Sequence, residues 1–246
     1  MDRRIVLVTG ASRGLGRATA LALARAGAQV IAIARSEKAL GDLDDDIKKQ
    51  TGESATLVPL DLRDFTAVDR LAGALLERFG RLDGLVGNAG VLGNIGPLET
   101  ASPQSFAETL DVNLTANWRL IRAVHPLLRM SSAGRALFIT SSAAVRHRAF
   151  WGPYSASKAG LEAMIGCYVD ETENSPIRVN LYDPGATRTE MRHKAMPGED
   201  PMSLPTPEEV ASLLPFYLSA ECDVHGARLS YRELIKRPTA EGLSRP

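Results

Sequence analysis

Cysteine is nearly absent. Cys167 and Cys222 are the only two in 246 residues, isolated from each other and outside any metal-ligand spacing. This excludes a disulfide framework and a cysteine-built metal site as organising elements, so both thiols are expected to be reduced and structural. Nothing in the sequence suggests a metal. Net charge is missing too: 29 Lys and Arg balance 29 Asp and Glu, giving a formal charge of zero. No overall field therefore steers the molecule toward nucleic acid or an anionic membrane. No run approaches the roughly 18–20 apolar residues of a membrane span. The opening, MDRRIVLVTG, enters a strand-like run at once and leaves no room for a signal peptide, so a cytoplasmic location is the default expectation. Repeats, low-complexity tracts and linkers are lacking as well. With 44% apolar and 24% charged residues the chain has an ordinary globular make-up, and one domain over 1–246 is expected.

What the chain has is alternation. Residues 4–9 (RIVLVT), 28–34 (AQVIAIA), 55–60 (ATLVPL), 82–87 (LDGLVG), 135–140 (RALFIT) and 177–182 (IRVNLY) read as strands. They are almost continuous in Val, Ile, Leu and Ala, which suits strands buried on both faces of a parallel sheet. Between them lie segments with helical spacing. Residues 15–27 end on Gly27, a C-cap signal. Residues 64–80 set Phe65, Val68, Leu71, Leu75 and Phe79 on one stripe. Residues 105–130 form a long helical stretch interrupted only near Pro126. Such alternation predicts an α/β, doubly wound parallel sheet with right-handed crossovers. A last strand is expected in ARLSY (227–231). Two segments break the rhythm. Residues 188–207 hold four prolines, three methionines and one glycine, the length of a lid or substrate-binding loop. The tail 236–246 is polar, contains proline and is expected to be loosely ordered.

The stretch TGASRGLG (9–16) follows the first strand and opens the first helix. Gly10, Gly14 and Gly16 allow unusual backbone angles and a close approach to a pyrophosphate, while the helix N-terminus offers unpaired N–H groups and partial positive charge. With Ser12, Arg13 and Leu15 they form a candidate nucleotide turn, spaced G-x-x-x-G-x-G. At the end of the second strand an acidic residue would bind the ribose hydroxyls of NAD, whereas a basic one pairs with a 2′-phosphate. Ala34 and Arg35 occupy that place. Arg13 can approach the same phosphate, and two guanidiniums around a phosphate dianion make charge-assisted contacts. NADP(H) is therefore preferred over NAD(H). Further along, Tyr154 and Lys158 stand at i and i+4, on one face of a helix. A cation beside a phenol stabilises its ionised form, so the Tyr154 pKa is expected to fall from about 10 toward the range of an acid/base catalyst.

TGASRGLG, LDLRD (60–64), GNAG (87–90), DVNL (111–114), ITSSAA (139–144), YSASK (154–158) and DPGATRT (183–189) stand in the order and spacing of the short-chain dehydrogenase/reductase family. The chain resembles its single-domain branch of roughly 250 residues, from residue 4 to about 190. The resemblance implies a three-layer, doubly wound Rossmann fold with a mostly parallel seven-stranded sheet. It also implies hydride transfer between a nicotinamide and a carbonyl or alcohol carbon. Tyr154 is then the general acid/base. Lys158 lowers its pKa and holds the nicotinamide ribose. Ser141, 13 residues before Tyr154, hydrogen-bonds the reacting oxygen, with Ser142 as competitor, and Asn113 holds a water that links Lys158 to solvent. The cofactor contacts implied are Asp61 and Leu62 at the adenine, Asn88, Ala89 and Gly90 beside the adenosine ribose, and Pro184, Gly185, Thr187 and Thr189 at the nicotinamide. Plainer roles exist for some: Asp61 as a cap of the following helix, Asn113 as a kink in its own. The resemblance further suggests a homodimer or homotetramer paired through the long helix and the Tyr154 helix.

Two departures stand out. The C-terminal stretch 225–237 lacks the Gly-Gly that commonly ends the family, and Gly87 replaces a frequent asparagine. Substrate identity is expected to lie in 91–99, 143–152 and the 188–207 loop. Arg146, His147 and Arg148 either read a substrate carboxylate or phosphate, or are simply solvated. Phe150, Trp151, Met191, Met196 and Met202 are candidates for an apolar pocket. The competing function is a non-catalytic NADP(H)-sensing regulatory protein. Retention of Ser141, Tyr154 and Lys158 together argues against it.

Overall fold

Alternate residues of each central strand face opposite layers, and the sequence supplies apolar side chains for both. In β1 (Ile5–Thr9), Val6 and Val8 enter one core while Ile5 and Leu7 enter the other. In β2 (Gln29–Ala34) the same division separates Val30, Ala32 and Ala34 from Ile31 and Ile33. Each large apolar side chain so buried contributes roughly 1.5–3 kcal/mol. β3 (Thr56–Pro59), β4 (Gly84–Gly87), β5 (Arg135–Ile139), β6 (Arg178–Asp183) and β7 (Arg228–Ser230) complete one sheet. Its order is β3-β2-β1-β4-β5-β6-β7 and every pairing is parallel. The structure, a computed structural model, describes residues 3–236. The polar tail from 237 onward lies outside the described residues.

Helices cover both faces. α1 (Gly14–Arg25) and α2 (Glu37–Thr51) pack on one side, and α3 (Phe65–Phe79) on the other. The α3 stripe of Val68, Leu71 and Leu75 is buried, and Phe79 packs against the same core. α4 (Pro103–Leu110), α5 (Ala116–Arg129) and α6 (Gly152–Thr172) follow, with α5 and α6 adding to the α3 layer. α7 (Glu190–Ala195), α8 (Pro207–Ala211), α9 (Leu214–Tyr217) and α10 (Tyr231–Leu234) are short. Among the described residues no helix is long and apolar enough to cross a membrane.

Three local expectations are corrected. The long helical stretch breaks at a π-helical turn over Asp111–Thr115, not at Pro126, which lies inside α5. Pro126 falls in the last turn, and the carbonyl it leaves unpaired belongs to exposed Arg122. The 188–207 segment is not a bare loop. It holds α7 and a 3₁₀ turn at Pro201–Ser203. The last strand, expected over 227–231, spans Arg228–Ser230, and Tyr231 begins α10.

Candidate active site

The strand order reverses between β1 and β4, and the carboxyl ends of the strands open there into a crevice. A cavity of about 370 Å³ lies in it. The residues expected to contact the cofactor line it, as do Ser141, Tyr154 and Lys158, whereas Asn113 does not. Gly10, Ser12, Arg13, Gly14, Leu15 and Gly16 form its floor at the start of α1. Arg35 comes from the end of β2, Asp61 and Leu62 from the loop after β3, and Asn88, Ala89 and Gly90 from the loop after β4. Ser141, Tyr154, Lys158, Pro184, Gly185, Thr187 and Thr189 close the other end.

The glycine turn is shaped for an anion. α2, α3 and α4 each carry a side-chain cap, from Ser36, Asp64 and Ser102, but α1 has none and no acidic residue in its first turn. Its first N–H groups are therefore left for a phosphate, and this chemistry fits a dinucleotide. Gly10 adopts a φ of 65°, open to glycine. Gly16 is fixed by contact: a Cβ there would come within 2.3 Å of both Asn88 Nδ2 and the Gly10 oxygen. The Asn88 amide in turn donates to the Thr9 carbonyl at 2.8 Å. Thr9 is a residue that sequence reasoning passed over. Its hydroxyl accepts from the N–H groups of Asn88 and Ala89, both at 3.0 Å, and so fixes the loop after β4. Nothing in the sequence marks a threonine at the end of a strand for this. Gly87 proves to be a packing requirement, since a Cβ would lie 2.5 Å from Asn117 Oδ1 and from the Phe138 ring.

The charged residues at the crevice also have partners of their own. Arg13 forms an ion pair with Glu190 of α7, and Glu190 also takes Lys194 at 2.7 Å. Arg35 is exposed at the crevice rim. Asp61 does not cap α3; Asp64 does, accepting from Ala67 N–H at 2.9 Å. Asp61 is instead gripped by Arg63 through its guanidinium, at 2.6–3.1 Å, which holds its carboxyl below the usual carboxylate range.

At the far end, α6 begins with Pro153 in its first turn and lays Tyr154 and Lys158 one turn apart, both buried. The Tyr154 hydroxyl meets the Ser141 side chain. Ser141 lines the cavity, whereas Ser142 starts a 3₁₀ turn outside it. Lys158 Nζ donates to the Ile139 carbonyl at 2.8 Å and stands 6.0 Å from the Tyr154 ring centre. The expected fall of the phenol pKa is not found. Burial pushes Tyr154 up to about 12, against the pull of the Ser141 hydroxyl and helped by the Asp183 charge. Burial brings Lys158 down to about 8, opposed by Glu162. Desolvation disfavours the charged form of each and is the largest cause of both shifts. Burial therefore favours the protonated phenol at neutral pH.

Asn113 lies in the π-helical turn, fully buried. Its amide spans Val91, accepting from the N–H at 2.8 Å and donating to the carbonyl at 2.9 Å, and donates to Ser157 Oγ at 2.9 Å. Ser157 Oγ donates to the Tyr154 carbonyl at 2.8 Å. The side chain thus ties the loop after β4 to the Tyr154 helix, using both amide hydrogens and one of the oxygen's two lone pairs. The π turn is the local departure that lets it reach both.

A second cavity of about 510 Å³ shares Arg13, Gly90, Val91, Leu92, Glu190 and Met191 with the first and extends along 93–101. Trp151, edge-on to Tyr154 at 5.9 Å between ring centres, walls the first cavity beside Met191. Phe150, Met196 and Met202 line neither cavity, and Arg146, His147 and Arg148 are exposed and line neither. Phe150 takes a φ of 74°, unusual for a bulky residue, and its carbonyl accepts from Gly96 N–H at 3.0 Å, joining 91–99 to 143–152.

A parallel doubly wound sheet with an uncapped glycine turn and a buried Tyr–Lys pair in one crevice defines a dinucleotide-binding α/β protein. The comparisons refine this class. Residues 4–200 match the short chain dehydrogenase family. The oxidoreductase YciK of Escherichia coli K12 is 41% identical over 220 residues, covering 89% of this chain and 86% of YciK. The NAD-dependent oxidoreductase MT0715 of Mycobacterium tuberculosis CDC 1551 is 33% identical over 201 residues, 76% of this chain and 73% of its own. Among solved structures, a short chain dehydrogenase of Escherichia coli CFT073 complexed with NADPH superposes with a TM-score of 0.90 at 37% identity. It covers 94% of this chain and 98% of that one. The chain belongs to the short-chain dehydrogenase family and is an NAD(P)-dependent oxidoreductase.

Proposed function

We propose that the protein is an NADP(H)-dependent carbonyl reductase in which Tyr154 donates the proton. The observation that carries this reading is the shared crevice: an uncapped helix N-terminus at one end and a buried, protonated phenol against Ser141 at the other. When bound, the cofactor supplies the hydride. The glycine turn would hold its phosphates, and Asn88 to Gly90 its adenosine ribose. Ser141 orients the substrate oxygen and Tyr154 gives it a proton. Lys158, with one donor on Ile139 and others open to the cavity, would hold the nicotinamide ribose and stabilise the tyrosinate left behind. The absence of an acid at the end of β2, with Arg35 at the rim, favours the 2′-phosphate of NADP(H). This agrees with the NADPH complex of the E. coli neighbour and contrasts with the NAD-dependent Mycobacterium relative.

The walls favour a neutral, apolar carbonyl compound over a keto acid. Leu92, Trp151 and Met191 line the cavity, with Trp151 edge-on to Tyr154. Of the nearby cations, Arg192 pairs with Glu199 at 2.6 and 2.7 Å, and Arg13 and Lys194 share the carboxylate of Glu190. The test is absorbance loss of NADPH and of NADH over aldehydes, aromatic ketones and the keto acids of the same skeletons. Faster turnover of neutral ketones with NADPH is expected. A keto-acid preference overturns the substrate class, NADH preference overturns the cofactor choice, and tight NADPH binding without any turnover favours the sensor.

A further inference from the structure

Arg228 opens the edge strand β7, yet its guanidinium reaches back across the carboxyl ends of β6 and β5. Nε donates to Glu162 Oε1 at 2.9 Å, and Nη2 donates to the Ser141 carbonyl at 3.1 Å and to Asp183 Oδ2 at 3.2 Å. Each partner is committed to the site. Glu162, one turn beyond Lys158 on α6, also accepts from the Thr140 hydroxyl at 2.6 Å. Asp183 Oδ1 accepts from Gly185 N–H at 2.9 Å and so shapes the turn after β6. The two carboxylate side chains are 17% and 8% exposed, and Arg228 is the ion-pair partner of both.

We propose that Arg228 is a positioning residue: it holds the Ser141 backbone and the Pro184–Gly185 turn together and screens Tyr154 from the Asp183 carboxylate. The inference rests on the proton-donor role proposed above for Tyr154. Of the charged groups around that phenol, the Asp183 carboxylate from β6 acts on it, Lys158 stands 6.0 Å from its ring on the same helix, and Arg228 from β7 holds Asp183. Beyond burial, the Asp183 charge pushes the phenol up, so a missing guanidinium leaves that push unopposed. Glu162 acts likewise on Lys158, raising it against burial. A merely structural arginine, stapling a three-residue edge strand, would affect unfolding but not the titration of Tyr154.

The test compares Arg228→Met and the double variant Arg228→Met/Asp183→Asn with the wild-type chain. Hydrogen exchange in 140–145 and 184–189 is expected to quicken at least ten-fold in Arg228→Met, with 29–34 unchanged. The pH midpoint at which NADP⁺-dependent alcohol oxidation rises is expected to move upward, because oxidation needs the ionised phenol and the unscreened carboxylate favours the protonated one. The double variant is expected to return that midpoint toward wild type. Unchanged exchange, an unmoved midpoint, or a shift that Asp183→Asn does not reverse overturns the proposal. Should Arg228→Met not fold, Arg228→Lys keeps the charge but not all three contacts, and predicts faster exchange with the midpoint in place; unchanged exchange overturns the proposal here also. A wild-type chain that binds NADPH but oxidises and reduces nothing refutes the Tyr154 role instead, and hydrogen exchange then decides Arg228 by itself.

Discussion

The half of the crevice above β1, β2 and β4 is made of backbone and glycine, whereas the half beyond Tyr154 is made of side chains carried on short, exposed elements. On the first side the atoms are already in contact: Gly16, Gly10, Asn88 and Thr9 interlock with no space for a methyl group. On the second, α7 has no buried residue and Trp151, Met191 and Ile95 stand at the rim. A cofactor common to many enzymes suits a rigid backbone cradle, whose shape any side chain would spoil. A substrate particular to one enzyme suits surfaces that change by substitution at small cost.

The contrast can be broken at its strongest point by adding one carbon. Gly16→Ala forces the Asn88 amide or the Gly10 carbonyl to move, costing about 1–3 kcal/mol of stability by overpacking. NADPH affinity, read by fluorescence titration, is expected to fall by more than a hundred-fold. Retained affinity would show that the cradle is softer than its contacts indicate. On the other side, Trp151→Ala removes a wall without touching the glycine turn. The KM for aromatic ketones is expected to rise about ten-fold while NADPH binding stays within two-fold, as steady-state kinetics and the same titration would show. Gly41→Ala is the smallest change: no atom lies within 4 Å of the added carbon, inside α2. A gain of about 0.5–1 kcal/mol in thermal unfolding is expected, with cofactor affinity unaltered.

The same division explains what was legible in the sequence. The strands were readable because burial on both faces demands unbroken Val, Ile, Leu and Ala, and β1, β2, β5 and β6 lie within a residue of their expected bounds. The glycine turn and the Tyr154–Lys158 spacing were readable because each depends on residue types with few substitutes. What was not legible depends on contacts distant in sequence. The π turn exists where Asn113 reaches Val91 and Ser157, residues 22 and 44 positions away. α7 has no apolar stripe to announce it. It is held by the Thr189 cap and by Arg192 on Glu199. The phenol pKa went the other way because burial, a property of the whole fold, is the largest cause of its shift. Arg13, read as a phosphate ligand, was met by an acid from 177 residues downstream.

The central claim is that one phenolic proton, kept on by burial, is what the crevice delivers to a carbonyl. The most direct test is Tyr154→Phe, with NADPH affinity and turnover measured on the same preparation. The account predicts affinity within about three-fold of wild type and a kcat lower by roughly 10²–10⁴, the usual worth of a positioned proton donor. A Tyr154→Phe enzyme that binds NADPH and turns over at the wild-type rate would contradict it.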